Sequence, residues 1–264
     1  MPDDMTLPGN LVPASPVSQP VEPRDAVTVV LLRDGTEGLE AFLLRRVKGM
    51  AFAGGMTVFP GGGVDQRDAD TSVAWAGPEP RWWAEVFNVD EGTARAFVCA
   101  AVRETFEESG VLLAGPDATS VVADTSTYAQ ARQQLVDREL SLAQFLAAEG
   151  LVLRADLLRP WANWVTPLEE PRRYDTRFFV AALPDGQKAD GETTEASDAS
   201  WQTPADAVQD AQVGRRMLMP PTWRTLDEVG ALGSVEKVMA EERSVEKIIP
   251  KLIRDGDVIR VVIP

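Results

Sequence analysis

The stretch Ala100 to Val111, AAVRETFEESGV, holds Glu104, Glu107 and Glu108 with Arg103 as the only cation beside them. On a helix, Glu104 faces Glu107 three residues on and Glu108 four residues on. Like charges at these spacings cost an isolated helix about 0.2–0.5 kcal/mol per pair, so something outside the helix must offset them. Three carboxylates with no Lys or His among them form a hard-oxygen site, which suits Mg²⁺ or Mn²⁺. Taken alone, the run also fits a solvated acidic face. Its neighbourhood favours chemistry. FPGGG lies upstream, and a glycine-rich loop lets backbone groups approach a metal or a phosphate closely. Arg103 can pair with Glu107 or hold a glutamate from outside the metal shell.

Composition removes several classes of chemistry. The 264 residues include no histidine, which excludes Ser–His and Cys–His nucleophiles and His-based metal sites. The single Cys99 cannot form an internal disulfide, and its small apolar neighbours mark it as a core residue. A formal net charge of −15 repels nucleic acid but not a small anion met by a local cation. The N-terminus lacks a secretory pattern and no apolar run is long enough to span a bilayer, so a cytoplasmic protein with no membrane or nucleic-acid partner, monomeric or homodimeric, is expected.

The elements that must position these residues follow from pattern. Residues 1–24 carry six prolines and are expected to form an extended or poorly ordered arm, ahead of a single domain over 25–264. AVTVVLLRDG and LEAFLLRRV read as a strand pair, and GMTVFPGGG as a short strand. Val64 to Asp90 reads as irregular. Thr93 is expected to cap a helix that Gly110 stops after Ser109. Two helices, 127–140 and 141–150, form a helical insertion over 117–150. LVLRADLLRPWANWVTP reads as strand-like and YDTRFFVAAL as a strand. Residues 184–200 read as an acidic loop, TPADAVQDAQ and PPTWRTLDEVGAL as helices, and 234–264 as a helix and hairpin. The mixture of strands and helices favours a mixed sheet flanked by helices.

RETFEESGV, Arg103 to Val111, with PGGGVDQRD, Pro60 to Asp68, resembles the signature of the Nudix hydrolases: Gly, five residues, Glu, seven residues, then Arg-Glu-U-x-Glu-Glu-x-Gly-U, with U apolar. Asp68 stands where the signature has Glu, and Thr105 stands at an apolar position. Ala69 to Val102 stands where the signature has seven residues, an insertion (69–92) holding Trp75, Trp82 and Trp83. With YDTRFF further on, this split box resembles the coenzyme A diphosphatase branch. The resemblance implies an α/β/α sandwich around a mixed sheet, with the Trp-containing insertion and extra helices added. It implies a metal-dependent pyrophosphohydrolase in which Glu104, Glu107 and Glu108 bind Mg²⁺ or Mn²⁺ and one of them serves as base. The Gly61 carbonyl would be a further ligand and Arg103 would orient the glutamates. A distant loop often supplies another acid, here Glu195, with Glu192 second.

A small nucleotide-type substrate is implied, coenzyme A or acyl-coenzyme A before an ADP-ribose or NADH type. A non-catalytic Nudix-like ligand sensor is the other reading. Gly62, Arg45, Arg46 and Arg177 are candidate substrate contacts, with Arg172 and Arg173 near the last. Each arginine fits a surface ion pair equally. Trp75, Trp82 and Trp83, like Trp161 and Trp164, suit either stacking on substrate or filling a core.

Overall fold

Alternation along VTVVLL decides how the layers are arranged. Val27, Val29 and Leu31 enter one hydrophobic core, Val30 and Leu32 a second on the opposite side, as side chains of a strand buried on both faces must. The structure is a computed structural model and describes residues 5–8, 20–47, 49, 53–193, 196–256 and 258–263.

In chain order the first strands are β1 (Met5–Pro8), β2 (Arg24–Gly35), β3 (Gly38–Arg46), β4 (Thr57–Val58), β5 (Gly61–Gly63) and β6 (Trp75–Ala76). Helices α1 (Pro80–Phe87) and α2 (Glu91–Ser109) follow, then β7 (Ala114–Gly115), α3 (Ala129–Val136) and α4 (Leu142–Glu149). Next come β8 (Val152–Arg154), β9 (Leu158–Val165), β10 (Tyr174–Ala182) and β11 (Ala196–Gln202). The chain ends with α5 (Pro204–Gln212), α6 (Pro220–Leu232), α7 (Val235–Ala240), β12 (Lys247–Ile248), β13 (Lys251–Asp255) and β14 (Val258–Val262).

The main sheet runs β11-β3-β2-β10-β9-β12, with β4 beside β3 and β5 beside β2. β2 is parallel to β10, and β9 is antiparallel to β10. β3 takes the far half of β2, from Leu32 to Gly35, while β5 pairs with the near half, Ala26–Thr28 opposite Gly63–Gly61. That change of partner sets the glycine strand on the sheet. α1 to α4 cover one face through Trp83, Phe97, Leu135 and Phe145. α5 to α7 cover the other through Ala207, Leu226, Val229 and Val238. The result is the expected α/β/α sandwich around a mixed sheet.

Several local expectations change. The cap of α2 is Asp90, not Thr93: Asp90 Oδ1 accepts the Thr93 N–H at 2.9 Å, and Thr93 Oγ1 donates back to Asp90 Oδ2 at 2.6 Å. Gly110 ends the helix at φ +71°, a conformation a residue without Cβ adopts readily. Thr105 is fully buried at its apolar position, its hydroxyl donating to the Ala101 carbonyl at 2.7 Å, a local bond that satisfies the polar atom.

The stretch 64–90 is not wholly irregular, because α1 forms there and lodges Trp83 against Phe87 and Phe179. The indole N–H of Trp83 and that of Trp75 both donate to the Pro78 carbonyl, at 3.1 and 2.9 Å. Trp83, Trp161 and Trp164 are core residues, whereas Trp82 is 42 % exposed. The polar 184–200 stretch gains an edge strand, β11, antiparallel to β3. Trp201 anchors it, with its ring 5.3 Å from Phe42 and Arg33 stacked over it at 4.4 Å. Of the N-terminal arm, Met5–Pro8 pairs with β14, while residues 1–4 and 9–19 lie outside the described residues. Among the described residues no helix is long and apolar enough to cross a membrane.

Cys99 is fully buried on α2, and burial pushes its thiol up to about 12. Thiolate is the reactive form. The native protein is therefore expected not to react with a disulfide reagent at about pH 8, and to release one equivalent when unfolded in guanidinium. A fast native reaction would show that α2 is not buried as described.

Candidate active site

Glu104, Glu107 and Glu108 stand in the last turns of α2, where a helix disfavours negative charge. Their local answer is Arg103, 9 % exposed. Its Nε and Nη2 hold Asp68 through both oxygens, at 3.0 and 2.8 Å. Nη1 donates to Glu104 Oε1 at 2.6 Å and to Glu107 Oε1 at 3.3 Å, and Nη2 also donates to the Gly63 carbonyl at 2.9 Å. The expected pairing of Arg103 with Glu107 is present but is one of several: one guanidinium serves three carboxylates. Asp68 is 2 % exposed. It occupies its place because a short 3₁₀ turn, Gln66–Ala69, is capped at Asp65, whose N–H donates to Asp68 Oδ2 at 2.8 Å.

The glycine strand closes over the glutamates. The Gly61 N–H donates to Glu108 Oε2 at 2.7 Å. A Cβ at Gly62 would lie 2.5 Å from Glu104 Oε2, and one at Gly61 would strike the Val27 carbonyl. Both positions thus require the missing side chain. Three carboxylates on one guanidinium, with Glu108 on the neighbouring Gly61 N–H, leave an excess of negative charge. Burial pushes Glu104 up to about 7, with Glu107 adding to the effect and Arg103 opposing it. Burial also raises Glu107, again against Arg103. Arg103 itself stays charged: burial works against its charge, but the bonds from Asp68 and the nearby Glu104 outweigh it.

The donor chemistry fits a hard divalent ion, since the carboxylates are oxygen ligands short of positive charge. In this arrangement, however, Glu104 and Glu107 turn toward Arg103 and Glu108 toward the Gly61 N–H. Among the described residues no group of three or more acidic, His or Cys side chains converges as a metal cage. Two open depressions, of ≈ 490 and ≈ 360 Å³, lie elsewhere, lined by α6 with 241–244 and by α5, α6 and the β2–β3 turn. They flank the face of the sheet opposite α2.

The remaining candidates are scattered. Phe42 and Leu44 face the α2 side and Leu43 the other, so alternation along β3 puts Arg46 on the glutamate side and Arg45 on the far side. Arg177 is on the glutamate side but 3 % exposed. Its Nη1 binds Asp25 at 2.6 Å and Asp175 at 3.1 Å, and the guanidinium stacks 4.2 Å over Phe97. Asn163 and Lys247 complete that network on Asp175, at 2.6 and 2.8 Å. Arg177 thus props β2 beside the glycine strand. Arg173 binds the Thr166 and Val21 carbonyls, and Arg172 is exposed. Glu192 is exposed, with its N–H on Asp190 Oδ1 at 3.0 Å. Glu195 lies outside the described residues.

Three residues near the site escape pattern reading: Arg132, Gln187 and Asp190. Gln187 ties the loop after β10 to the Leu112 and Val122 backbone, at 2.9 and 2.6 Å. Arg132 joins Asp190 to the end of α2. The only hint in the sequence is that Arg132 is the single cation within α3.

Replacing Arg103 leaves Asp68 buried without its partner, so Arg103→Met is expected to cost about 3–5 kcal/mol in a urea unfolding measurement. A loss within error of zero would show that the guanidinium does not hold the two halves of the box together.

The sequence matches a family model described as the NUDT19 Nudix domain over residues 88–229. It is 31 % identical over 207 residues to nudix hydrolase 7 of Caenorhabditis elegans, covering 75 % of this chain and 57 % of that protein. To the acyl-coenzyme A diphosphatase NUDT19 of Xenopus laevis it is 25 % identical over 235 residues, 75 % of this chain and 61 % of that one. To human NUDT19, also named an acyl-coenzyme A diphosphatase, it is 26 % identical over 241 residues, 76 % and 64 %. The chain thus spans between 57 % and 64 % of the length of these relatives. Among solved structures, a NUDIX hydrolase from Alicyclobacillus acidocaldarius aligns with a TM-score of 0.73 at 28 % identity, covering 85 % of this chain and 98 % of that one. With the split box assembled around Arg103 and the family match spanning more than half its length, the chain belongs to the Nudix hydrolase family and carries a NUDT19-type Nudix domain.

Proposed function

We propose that the chain is a Mg²⁺- or Mn²⁺-dependent pyrophosphohydrolase that cleaves the diphosphate of coenzyme A or acyl-coenzyme A, in the cytoplasm. The observation that carries this reading is the buried acidic cluster beside the glycine strand. Its excess negative charge calls for a dication, and a dication there calls for a polyanionic substrate. The names borne by the vertebrate relatives support coenzyme A as the substrate class.

Glu104, Glu107 and Glu108, with the Gly61 carbonyl, would hold the ion. When bound, it would shield the diphosphate and make a water more acidic. The rest falls to the chain's own groups. Arg103 fixes Glu104 and Glu107 from behind. The Gly61 N–H keeps Glu108 turned to the glycine strand. The absent side chain of Gly62 leaves room against Glu104. One of the three glutamates would also accept the proton of the attacking water. The water oxygen bonds to one phosphorus, the bridging P–O bond breaks, and the bridging oxygen leaves with the other phosphate. Arg46, on the glutamate side, is retained as a phosphate contact. Arg45 and Arg177 are assigned to the surface and to the core.

Purified protein with Mg²⁺ or Mn²⁺ is expected to convert coenzyme A into adenosine 3′,5′-bisphosphate and 4′-phosphopantetheine, identified by mass spectrometry. Glu108→Gln keeps an acceptor for the Gly61 N–H but removes the charge, and is expected to lower kcat by roughly 100-fold or more. Turnover of ADP-ribose or NADH with none of coenzyme A would move the substrate assignment. Unchanged activity of Glu108→Gln would overturn the site.

A further inference from the structure

The C-terminal end of α2 is a poor place for three carboxylates. The last carbonyls of a helix lack internal donors and carry partial negative charge. The last turn of α2 contains no basic residue. Gly110 caps Phe106, and donors from remote segments serve two of the other carbonyls. Arg132 Nε donates to the Glu107 carbonyl at 3.0 Å, and the Asp190 N–H donates to the Ser109 carbonyl at 2.9 Å. The two donors are joined to each other, because Arg132 Nη1 holds both oxygens of Asp190 at 2.8 and 2.9 Å. The pair sits so close over the cap that a Cβ on Gly110 would lie 2.8 Å from Asp190 and 2.9 Å from Arg132.

The helical insertion that carries Arg132 on α3 is itself fixed to the box through α4 and the turn before it. Phe145 of α4 stacks on Phe106 of α2, with centroids 5.5 Å apart and an interplanar angle of 6°. The carbonyl of Arg138, in the turn between α3 and α4, accepts from Arg67 Nη1 at 3.1 Å, and Arg67 is bound to Asp65 in the first half of the box. The Asp190 side is equally anchored, since Gln187 is buried and bonded three times to Leu112 and Val122.

We propose that Arg132, contributed by the helical insertion, is a positioning residue: with Asp190 it clamps the last turn of α2 from outside and so sets where Glu107 and Glu108 stand. The reach of this inference to catalysis rests on reading those glutamates as the reactive site; the clamp does not. Removing the clamp frees the turn to fray, and displacing catalytic groups by an ångström is costly in rate even when binding is little changed.

The test compares Arg132→Met, Arg132→Lys, Asp190→Asn and the double variant Arg132→Met/Asp190→Asn. Arg224→Met serves as a control that breaks an ion pair, with Glu228, on α6 at the opposite face of the sheet. In Arg132→Met, amide exchange is expected to accelerate at 107–111 and 188–192 while 94–100 stays protected. kcat on the accepted diphosphate substrate should fall roughly 10- to 100-fold, with KM moving less than about threefold. Lysine can meet Asp190 but not the Glu107 carbonyl as well, so it should restore little of kcat. The double variant should be no slower than Arg132→Met, and the control should keep kcat. Unaltered exchange overturns the clamp. Accelerated exchange with unaltered kcat, or a control that falls equally, overturns the positioning role. If the unaltered protein hydrolyses no diphosphate, the functional reading fails, and exchange alone decides whether the clamp exists.

Discussion

A guanidinium removed from water must find acceptors for its N–H groups, and Arg103 finds them on three separate pieces of chain. Asp68 comes from the 3₁₀ turn, the Gly63 carbonyl from the glycine strand, and Glu104 and Glu107 from its own helix. No one of these segments could move by a bond length without orphaning a buried charge. Buried ion pairs add little to stability relative to an apolar replacement, yet they are costly to break. Here the consequence is geometric: the halves of a box separated by a long insertion are held in one register by a single side chain. The orientation of the glutamates follows from that register.

The crowding of Glu104, Glu107 and Glu108 is thus answered in layers. Arg103 neutralises part of the charge from within. Arg132 and the Asp190 N–H supply donors at the end of the helix. The remaining imbalance shows on Glu104 and Glu107, whose carboxyls burial has made reluctant to ionise. A site balanced in this way is prepared to take up positive charge without being held apart by repulsion before it arrives. The same economy recurs beneath the glycine strand, where Arg177 offsets Asp25 and Asp175, while Lys247 and Asn163 also bind Asp175. The arginines that resembled substrate contacts in YDTRFF and PRR are largely parts of this scaffold.

Much of this was legible in the residues. The glutamate spacing, the glycine run and the Gly110 stop placed α2 and its neighbour, because each depends on a local property: helical period, freedom from Cβ, left-handed backbone. The β-branched run of β2 and the apolar run of β10 read as strands, and the mixture of strands and helices pointed to a mixed sheet. What was not legible depends on contacts distant in sequence. Asp68 reads only as an aspartate standing where the signature has Glu, and its role as the bidentate partner of Arg103 appears only in the fold. β11 reads as a loop, since its acidic, small residues lack strand character and only Trp201 packing on Phe42 draws it to the sheet edge. α1 was hidden by prolines and tryptophans that suit either core or ligand. Arg132 carries no motif and acquires meaning only when α3 lies against α2.

The topology also orders events in time. Asp25 meets Arg177 across 152 positions, and Asp68 meets Arg103 across 35. Contacts between remote parts of a chain form slowly, because loop closure must precede any gain. As the polypeptide emerges, β2, on which the glycine strand rests, has no parallel neighbour until β10 has been made. The acidic helix can coil early through its Asp90 and Gly110 ends, but the cradle that receives its carboxylates closes only after some two-thirds of the chain exists. Competence is therefore a late property of this protein, conferred by its second half on residues placed in its first.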